Sequence, residues 1–344
     1  MKSNQSINVV LAYKLDPQLV QRVQAVSPRL HVLDAGDLVY RERRLRREGK
    51  LEEAAALRPS IDEFLLQADV LFSWGLPADL PQRAPRLDWV QVPFHGADNL
   101  LTPDVVASPI RIATAQGLLG WTMAEHVLGQ MIYFSRRFHI AQQLQRNHKW
   151  DSRASRPSEL RGQTVGILGY GDIAKNLVQM VKAQGVRCLV VRRSIVEPTP
   201  GFDAVDQFLP PFSLDDVMRV SDFLVLAAPR TPETDGMVSA QLLGLMKPTA
   251  YLINVGRGSL VDEDALIQAL QEGRLAGAGL DVFRTEPLPE ESALWDMPNV
   301  LITPHNSGPS EIYMSESMDI LCDNLRRYLA NEPLLNIVDK ERWY

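Results

Sequence analysis

Three residues whose side chains suit acid–base chemistry lie between Ile253 and Gly308. They are Arg257 in INVGRGSLVDEDAL, Glu286 in GLDVFRTEPLP and His305 in ITPHNSG. A guanidinium can hold a carboxylate through two parallel hydrogen bonds, and an imidazole titrates near neutral pH. A carboxylate 19 positions before the imidazole can orient it and favour its protonated form. These residues predict a site that binds a small anion and moves a proton.

Short apolar runs that end in turn residues alternate with amphipathic segments. The N-terminal part contains INVVLAY, DVLFSW, LDWVQVP and RIATA, with helical patterns at 17–26 and 42–57. A long apolar-rich helix is predicted at 121–138, followed by a polar stretch, and a closing helix at 311–332. From residue 163 a more continuously apolar set begins with QTVGILGYG and ends with NVLITPH. The pattern predicts an α/β fold with two domains, each with a parallel sheet covered by helices.

The composition bounds the class of protein. At 344 residues, with ~150 residues per domain as a guide, the chain is long enough for two domains. Apolar residues make up 45% and charged residues 23%, as in ordinary globular proteins, and the net charge of −6 argues against a nucleic-acid surface. No apolar run approaches the ~20 residues of a membrane span, and no leader-like segment opens the sequence. We expect a cytoplasmic enzyme.

Two further features have simple interpretations. Cys188 and Cys322 lie in apolar or helical contexts, and their number and spacing predict buried free thiols without a disulfide or a metal site. The basic run RERRLRREGK at 41–50 is followed at once by acidic residues. It is interpreted as a solvated helix face, with an anion-binding patch as the alternative.

The segment GILGYGDIA predicts a dinucleotide-binding loop, because it follows a strand and opens a helix. Gly169 permits the tight turn, Gly171 lets the backbone approach a pyrophosphate, and the small Ala174 lets helix and strand pack closely. The helix N-terminus offers free N–H groups to phosphates. The alternative is a tight turn without a nucleotide.

The end of the next strand predicts the choice of cofactor. NAD-preferring sites place an Asp or Glu there to bind the ribose 2′-hydroxyl, whereas this chain has Arg192, Arg193 and Ser194. Guanidinium groups and a hydroxyl can bind a 2′-phosphate that a carboxylate would repel. We therefore expect NADP(H) to be preferred, with NAD(H) possible; the alternative is that these arginines only face solvent. Arg230 is expected to add charge near the adenosine.

Several sequence blocks together resemble the D-isomer-specific 2-hydroxyacid dehydrogenase family. The blocks are AEHVLGQM, TVGILGYGDIAKNL, LINVGRGSLVDEDAL, GLDVFRTEPLP and TPHNSG. The resemblance covers most of the chain. It implies a flavodoxin-like substrate domain, residues 1–113 and 305–344, into which a Rossmann-type NAD(P)-binding domain, residues 114–304, is inserted. It also implies a homodimer formed through the long helix and the nearby loop after Trp121.

The resemblance implies functions for individual residues. Arg257, Glu286 and His305 would be catalytic. Cofactor contacts would come from Gly169, Tyr170, Gly171, Asp172, Ile173, Arg192, Arg193, Ser194, Ala228, Pro229, Arg230, Val255, Gly256 and Asp281, the last through the nicotinamide carboxamide. Substrate contacts would come from Trp74, His95, Gly96, Ala97 and Arg257. His126, in AEHV, is interpreted as helix packing.

The implied reaction is the reduction of a small 2-keto acid to the D-2-hydroxy acid. Arg192, Arg193 and the Trp74 turn look most like NADPH-linked glyoxylate and hydroxypyruvate reductases. Glu286 distinguishes the chain from the similar formate dehydrogenases, which pair the histidine with Gln. The bulky Phe94 and His95 stand where relatives often have small residues. Two other functions remain open, a dinucleotide-sensing corepressor-like protein and a dehydrogenase for another small anion such as phosphite.

Overall fold

The computed structural model describes residues 6–193 and 204–343, which form two compact units. One, the terminal unit, extends to Leu118 and resumes at Glu311, and the other, the inserted unit, is Leu119–Ser310. These limits lie a few residues after the predicted positions 113 and 304, so His305 belongs to the inserted unit.

The secondary structure alternates between strands and helices. The described strands, in chain order, are β1 (Ile7–Ala12), β2 (Leu30–Asp34), β3 (Val70–Ser73), β4 (Trp89–Gln91), β5 (Arg111–Ala113), β6 (Thr164–Leu168), β7 (Arg187–Val191), β8 (Gln207–Leu209), β9 (Phe223–Leu226), β10 (Tyr251–Asn254), β11 (Gly277–Leu280) and β12 (Val300–Ile302). The described α-helices are α1 (Pro17–Gln24), α2 (Gly36–Arg47), α3 (Leu51–Ala56), α4 (Arg58–Leu65), α5 (Leu80–Arg83), α6 (Pro103–Ala107), α7 (Gly120–Ser135), α8 (Phe138–Arg146), α9 (Asp172–Lys182), α10 (Leu214–Val220), α11 (Ala240–Leu243), α12 (Glu263–Gln271) and α13 (Tyr313–Ala330). Short 3₁₀ turns lie at Asp98–Leu100, Pro211–Ser213, Gly258–Leu260 and Ala293–Asp296.

Each unit contains one sheet whose named strands pair in parallel. The order is β2-β1-β3-β4-β5 in the terminal unit and β12-β11-β10-β9-β6-β7-β8 in the inserted unit. Strands β9 and β11 are buried at every residue, as expected for strands covered on both faces. The predicted α/β fold with two parallel sheets is confirmed. In such sheets, loops that bear functional groups gather at the carboxyl ends of the strands.

Two predicted helices are each divided in two. The pattern at 42–57 ends its first helix at Arg47, and Gly49, with φ +74°, turns the chain before α3. The predicted helix 121–138 stops at Ser135 because Arg137 adopts a left-handed φ of +53°. The stretch expected to be merely polar then contains α8. Glycine offered a sequence signal for the first break, but arginine offered none for the second.

Both cysteines are buried free thiols, as predicted. Within the described residues, none of the helices combines the length and apolarity that a membrane span requires.

Candidate active site and cofactor-binding loop

The loop between β6 and α9 has the backbone geometry that a bound pyrophosphate requires. Gly169 has φ +95°, and a Cβ there would lie 2.8 Å from the Ala227 carbonyl oxygen, so only glycine fits. Gly171 is the N-cap of α9, no side chain of the described residues caps that helix, and a Cβ on Gly171 would meet none of their atoms within 4 Å. Ala174 is fully buried. Open backbone beside uncapped N–H groups fits the phosphates of a dinucleotide.

Two arginines follow β7, where an NAD-preferring site would have a carboxylate. The Arg192 guanidinium lies 5.5 Å from the centre of the Tyr170 ring and 5.4 Å from that of Phe208. Those two rings meet edge to face at 4.8 Å, so Arg192 rests on an aromatic platform. Arg193 is exposed. Ser194, the third predicted residue, lies outside the described residues.

The loops after β9 and β10 approach each other closely. A Cβ on Gly256 would lie 2.8 Å from the carbonyl oxygen of Ala228. Val255 is buried beneath this contact, and Pro229 continues the β9 loop. Arg230 forms an ion pair with Asp235, with Nε 2.9 Å from Oδ1. The sequence predicts that Arg230 adds positive charge near the adenosine. In the structure the Asp235 carboxylate partly neutralises that charge.

Arg257 lies in a turn that the buried Asn254 holds. The Asn254 side chain accepts from the Gly256 N–H at 3.1 Å and donates to the Arg257 carbonyl at 2.9 Å. The Arg257 Nη1 donates to the Gly256 carbonyl at 2.9 Å. A Cβ on Gly258 would overlap the Phe283 backbone. This contact packs the Arg257 turn directly against the segment that leads to Glu286.

Glu286 and His305 form a hydrogen-bonded pair. His305 Nδ1 lies 2.7 Å from one Glu286 oxygen, and the other oxygen accepts from the Phe283 N–H at 3.0 Å. The side chains are 51% and 36% exposed, so solvent reaches both. The hydrogen bond that His305 donates to Glu286, together with the charge of Glu286, raises the pKa of His305 despite partial burial. Burial opposes ionisation of Glu286, but hydrogen bonds from His305 and Phe283 and the charges of His305 and Arg257 keep its pKa low.

Asp281 holds the segment that contains His305. The carboxylate is fully buried and accepts from the Thr303 hydroxyl at 2.7 Å and from the N–H groups of Asn306 and Ser307 at 3.0 and 3.2 Å. Its carbonyl accepts from the His305 N–H at 2.9 Å. His305 has a left-handed φ of +51°, which a non-glycine residue adopts only under constraint. Three donors to one carboxylate supply that constraint.

His126 on α7 reaches the same segment. Its Nε2 lies 2.8 Å from the amide nitrogen of Gln130, one helical turn along, and 3.4 Å from the Thr303 hydroxyl oxygen. Burial lowers the pKa of His126, against the charge of Asp281. The sequence alone predicts only helix packing for His126 and gives no role to Thr303, Asn306 or Ser307. The polar residues around His305 in TPHNSG were the available signal.

The substrate residues predicted in the terminal unit lie at the carboxyl ends of β3 and β4. Trp74 is 36% exposed and stacks on Tyr13, with ring centres 5.4 Å apart, and it meets Phe94 at 5.7 Å. His95, Gly96 and Ala97 follow Phe94 in the loop before the 3₁₀ turn, and Ala97 is buried.

Comparison with known proteins identifies the family. Residues 128–307 match the family model described as D-isomer specific 2-hydroxyacid dehydrogenase, NAD binding domain. The chain belongs to this family. As a D-isomer-specific 2-hydroxyacid dehydrogenase it is an NAD(P)-dependent oxidoreductase, and the enzyme class and the resemblance predicted from the sequence are confirmed.

Relatives of this dehydrogenase include enzymes named for small hydroxy and keto acids. A glyoxylate reductase of Korarchaeum cryptofilum is 32% identical, over 84% of this chain and 88% of that protein. A glycerate dehydrogenase of Methylorubrum extorquens is 31% identical, over 88% and 96%. The crystal structure of an NADPH-dependent glyoxylate/hydroxypyruvate reductase from Sinorhizobium meliloti, in complex with NADP and sulfate, has a TM-score of 0.79 at 28% identity, covering 98% of this chain and all of that one.

Proposed function

We propose that this dehydrogenase reduces a small 2-keto acid of the glyoxylate or hydroxypyruvate type to the D-2-hydroxy acid. The observation that carries the proposal is the 2.7 Å pairing of His305 with Glu286 beside the charge of Arg257. Glu286 supports a protonated imidazole, which the reduction of a carbonyl needs and the oxidation of a group such as formate does not. The names of the relatives support the same substrate class.

Each catalytic residue has a distinct role in the proposed reaction. Nicotinamide, when bound, supplies the hydride to the keto carbon. Arg257 binds the substrate carboxylate with two hydrogen bonds and stabilises the developing alkoxide. His305 bonds to Glu286 through Nδ1, so its other ring nitrogen, Nε2, delivers the proton to the alkoxide oxygen. Glu286 keeps the imidazole oriented and charged.

The remaining predicted contacts form part of the proposal. Gly169, Tyr170, Gly171, Asp172 and Ile173 would line the dinucleotide phosphates. Asp281 would present an oxygen to the nicotinamide carboxamide in addition to holding the His305 segment. In the terminal unit, backbone N–H groups of residues 95–97 would bind the substrate carboxylate, and Trp74 would cover the substrate.

NADPH is the proposed cofactor. The aromatic platform under Arg192 supports this choice, because it fixes a guanidinium at the end of β7, where the adenosine ribose binds in Rossmann-type sites. The NADP bound to the Sinorhizobium meliloti reductase is consistent with it. Lower kcat/KM with NADPH than with NADH would overturn this part of the proposal.

Steady-state kinetics test the whole proposal. Glyoxylate, hydroxypyruvate, pyruvate and phenylpyruvate are assayed with NADPH and with NADH, and phosphite with the oxidised nucleotides. We expect turnover of at least one keto acid, faster with NADPH, and a D-configured product from every keto acid other than glyoxylate, whose product is achiral. Phosphite oxidation without keto-acid reduction would favour the dehydrogenase for another anion. Tight nucleotide binding without any turnover would favour the dinucleotide sensor.

A homodimer through α7 and the segment after it is also proposed. Trp121, Ile132, Phe138 and Trp150 are exposed apolar residues on or after this helix, and Trp150 is 98% exposed. Exposed large apolar side chains are frequent at protein interfaces. Light scattering on the purified chain tests this, and a monomer at micromolar concentration would contradict it.

A further inference from the structure

One arginine in the basic run 41–50 differs from its neighbours. Three other cations there are paired with acidic residues of the run: Arg46 with Glu42, Arg44 with Glu48 at 3.6 Å, and Lys50 with Glu48 at 2.8 Å. Arg41 and Arg47 are exposed to solvent. Arg43 is half-buried, and within residues 6–193 and 204–343 its guanidinium makes no hydrogen bond or ion pair. The run is therefore a solvated face except at Arg43.

Arg43 lies beside aromatic residues at the edge of the sheet. Its Nη2 is 3.7 Å from the point where a Cβ on Gly75 would lie, directly after Trp74. Burial lowers the pKa of Arg43, and electrostatic interactions with Glu42 and then Tyr13 oppose that effect. A partly desolvated cation that has no direct hydrogen-bonded partner is unfavourable in the free protein. Charged residues that are desolvated without a direct partner are frequent in ligand-binding sites.

A second polar group near Tyr13 also lacks a partner. Tyr313, in the first turn of α13, is only 4% exposed, and its buried hydroxyl has no hydrogen bond within the described chain. Burial raises the pKa of Tyr313, and Tyr13 adds to this effect. The buried Tyr313 hydroxyl and the Arg43 guanidinium therefore both interact electrostatically with Tyr13. A hydroxyl that could donate and a cation that could pair suit the same kind of ligand group, an anion.

The position of this cluster in the fold is that of a ligand site. Tyr13 directly follows β1, and Trp74 and Gly75 directly follow β3. These strands are neighbours in the order β2-β1-β3-β4-β5, which reverses direction between β1 and β3. In open α/β sheets, ligands bind outside the carboxyl ends of the strands at that reversal. Trp74, which stacks on Tyr13 and contacts the tilted ring of Phe94, joins the cluster to the loop proposed to hold the keto-acid carboxylate.

We propose that Arg43, with the hydroxyls of Tyr13 and Tyr313, binds a second acidic group at the far end of the substrate. The preferred substrates would then be 2-keto acids with a distal carboxylate or phosphate. This inference rests on the proposed function and narrows its substrate class. A guanidinium fork matches either group with two charge-assisted hydrogen bonds, whereas a monoanionic keto acid leaves the fork unpaired.

Matched pairs of substrates test the inference with NADPH. The pairs are 2-oxobutyrate with oxaloacetate, 2-oxovalerate with 2-oxoglutarate, and hydroxypyruvate with its 3-phosphate. Each pair differs in the distal acidic group, so the ratio of kcat/KM within a pair reports the effect of that group. We expect at least one ratio to favour the substrate with the distal acidic group by about tenfold or more, the range for hydrogen bonds to charged groups. The pair with the largest ratio distinguishes a carboxylate from a phosphate and reports the distance to Arg43.

Variants connect the preference to Arg43. R43Q is expected to lower the favoured ratio by about tenfold or more, and R43K by less, because an ammonium keeps the charge without the fork. R47Q removes the same charge from an exposed site one turn along α2 and is expected to leave the ratio within about twofold. Tyr313→Phe is expected to lower the ratio by about threefold.

The outcomes separate the inference from the proposed function. If no keto acid is reduced, the proposed function fails. If keto acids are reduced but no pair favours the substrate with the distal acidic group, or if R43Q and R47Q change the ratio equally, the distal site is wrong while the reductase stands. Should R43Q not fold, as judged by circular dichroism, R43K decides: an unchanged ratio overturns the inference.

Discussion

The polar groups near the carboxyl ends of the two sheets differ in whether they have hydrogen-bond partners. In the inserted unit, Asp281 accepts three hydrogen bonds through its carboxylate and Glu286 accepts two. In the terminal unit, Arg43 and the Tyr313 hydroxyl have no such partners in the described chain. The hydrogen bonds of the first arrangement are already formed without a ligand, as those of preorganised catalytic groups must be. In the second arrangement the polar groups can still bind a ligand, as a site that selects the substrate requires.

In the inserted unit, the largest effect is expected when the proposed proton donor, His305, is removed. We expect H305A to lower kcat for keto-acid reduction by ~10²–10⁴-fold, the usual contribution of a general acid. His148→Ala is the matched control, because His148 is also a non-glycine residue with positive φ and is exposed. Turnover of H305A within about tenfold of wild type would remove His305 from the role of proton donor.

Asp281→Asn tests whether the hydrogen bonds accepted by the Asp281 carboxylate stabilise the fold as well as support catalysis. The amide would place a donor against N–H groups that now donate to a buried carboxylate, so we expect the free energy of unfolding to fall by ~2–4 kcal/mol. Activity is expected to fall with it, because the His305 segment loses its constraint. Urea unfolding and kcat measure the two effects.

Asp262→Asn is the control for that substitution. Asp262 caps α12 through a hydrogen bond to the Ala265 N–H at 3.1 Å, and Asn caps a helix about as well as Asp. If both variants lost the same free energy of unfolding, the hydrogen bonds to Asp281 would contribute no more to stability than an ordinary helix cap.

Glu286→Gln tests whether the charge of Glu286 sets the pKa of His305. Glu286 raises the pKa of His305, and His305 acts as an acid in reduction, so kcat/KM for reduction declines as pH rises through that pKa. Without the carboxylate the pKa falls, and the declining limb moves to lower pH. The loss of activity is therefore larger at alkaline pH than at acidic pH. A pH profile identical to that of the wild type, with the exposed Glu291→Gln as control, would contradict this role.

Tyr313→Phe is expected to have the smallest effect, and of the opposite sign. A buried hydroxyl without a partner costs ~1–3 kcal/mol, so its removal should leave the free energy of unfolding unchanged or raise it by about 1 kcal/mol. Thermal unfolding measures this. Destabilisation by Tyr313→Phe as large as that by Asp281→Asn would mean that the two regions do not differ in the way proposed.

Much of the fold was predictable from local patterns. Continuous apolar runs identified the buried strands, and GILGYGDIA identified the turn into α9, because both depend on residue type and spacing alone. The break after Ser135 was not predictable, since the left-handed Arg137 has no glycine to signal it. The contact of His126 with Thr303, 177 positions apart, also required the packed chain.

The sequence by itself determined which chemical groups the chain contains: the guanidinium, carboxylate and imidazole at 257, 286 and 305, the glycines of the dinucleotide loop, and the arginines after β7. Residue identity and spacing specify these without reference to distant contacts. Only the tertiary structure decided which groups are already paired and which are not. Asp281 binds the His305 segment, Arg230 is held by Asp235, and Arg43 is set apart from its paired neighbours. Whether a charged group is paired depends on distances and burial in the folded chain, even for residues as near in sequence as Arg230 and Asp235, and residue identity alone does not specify these.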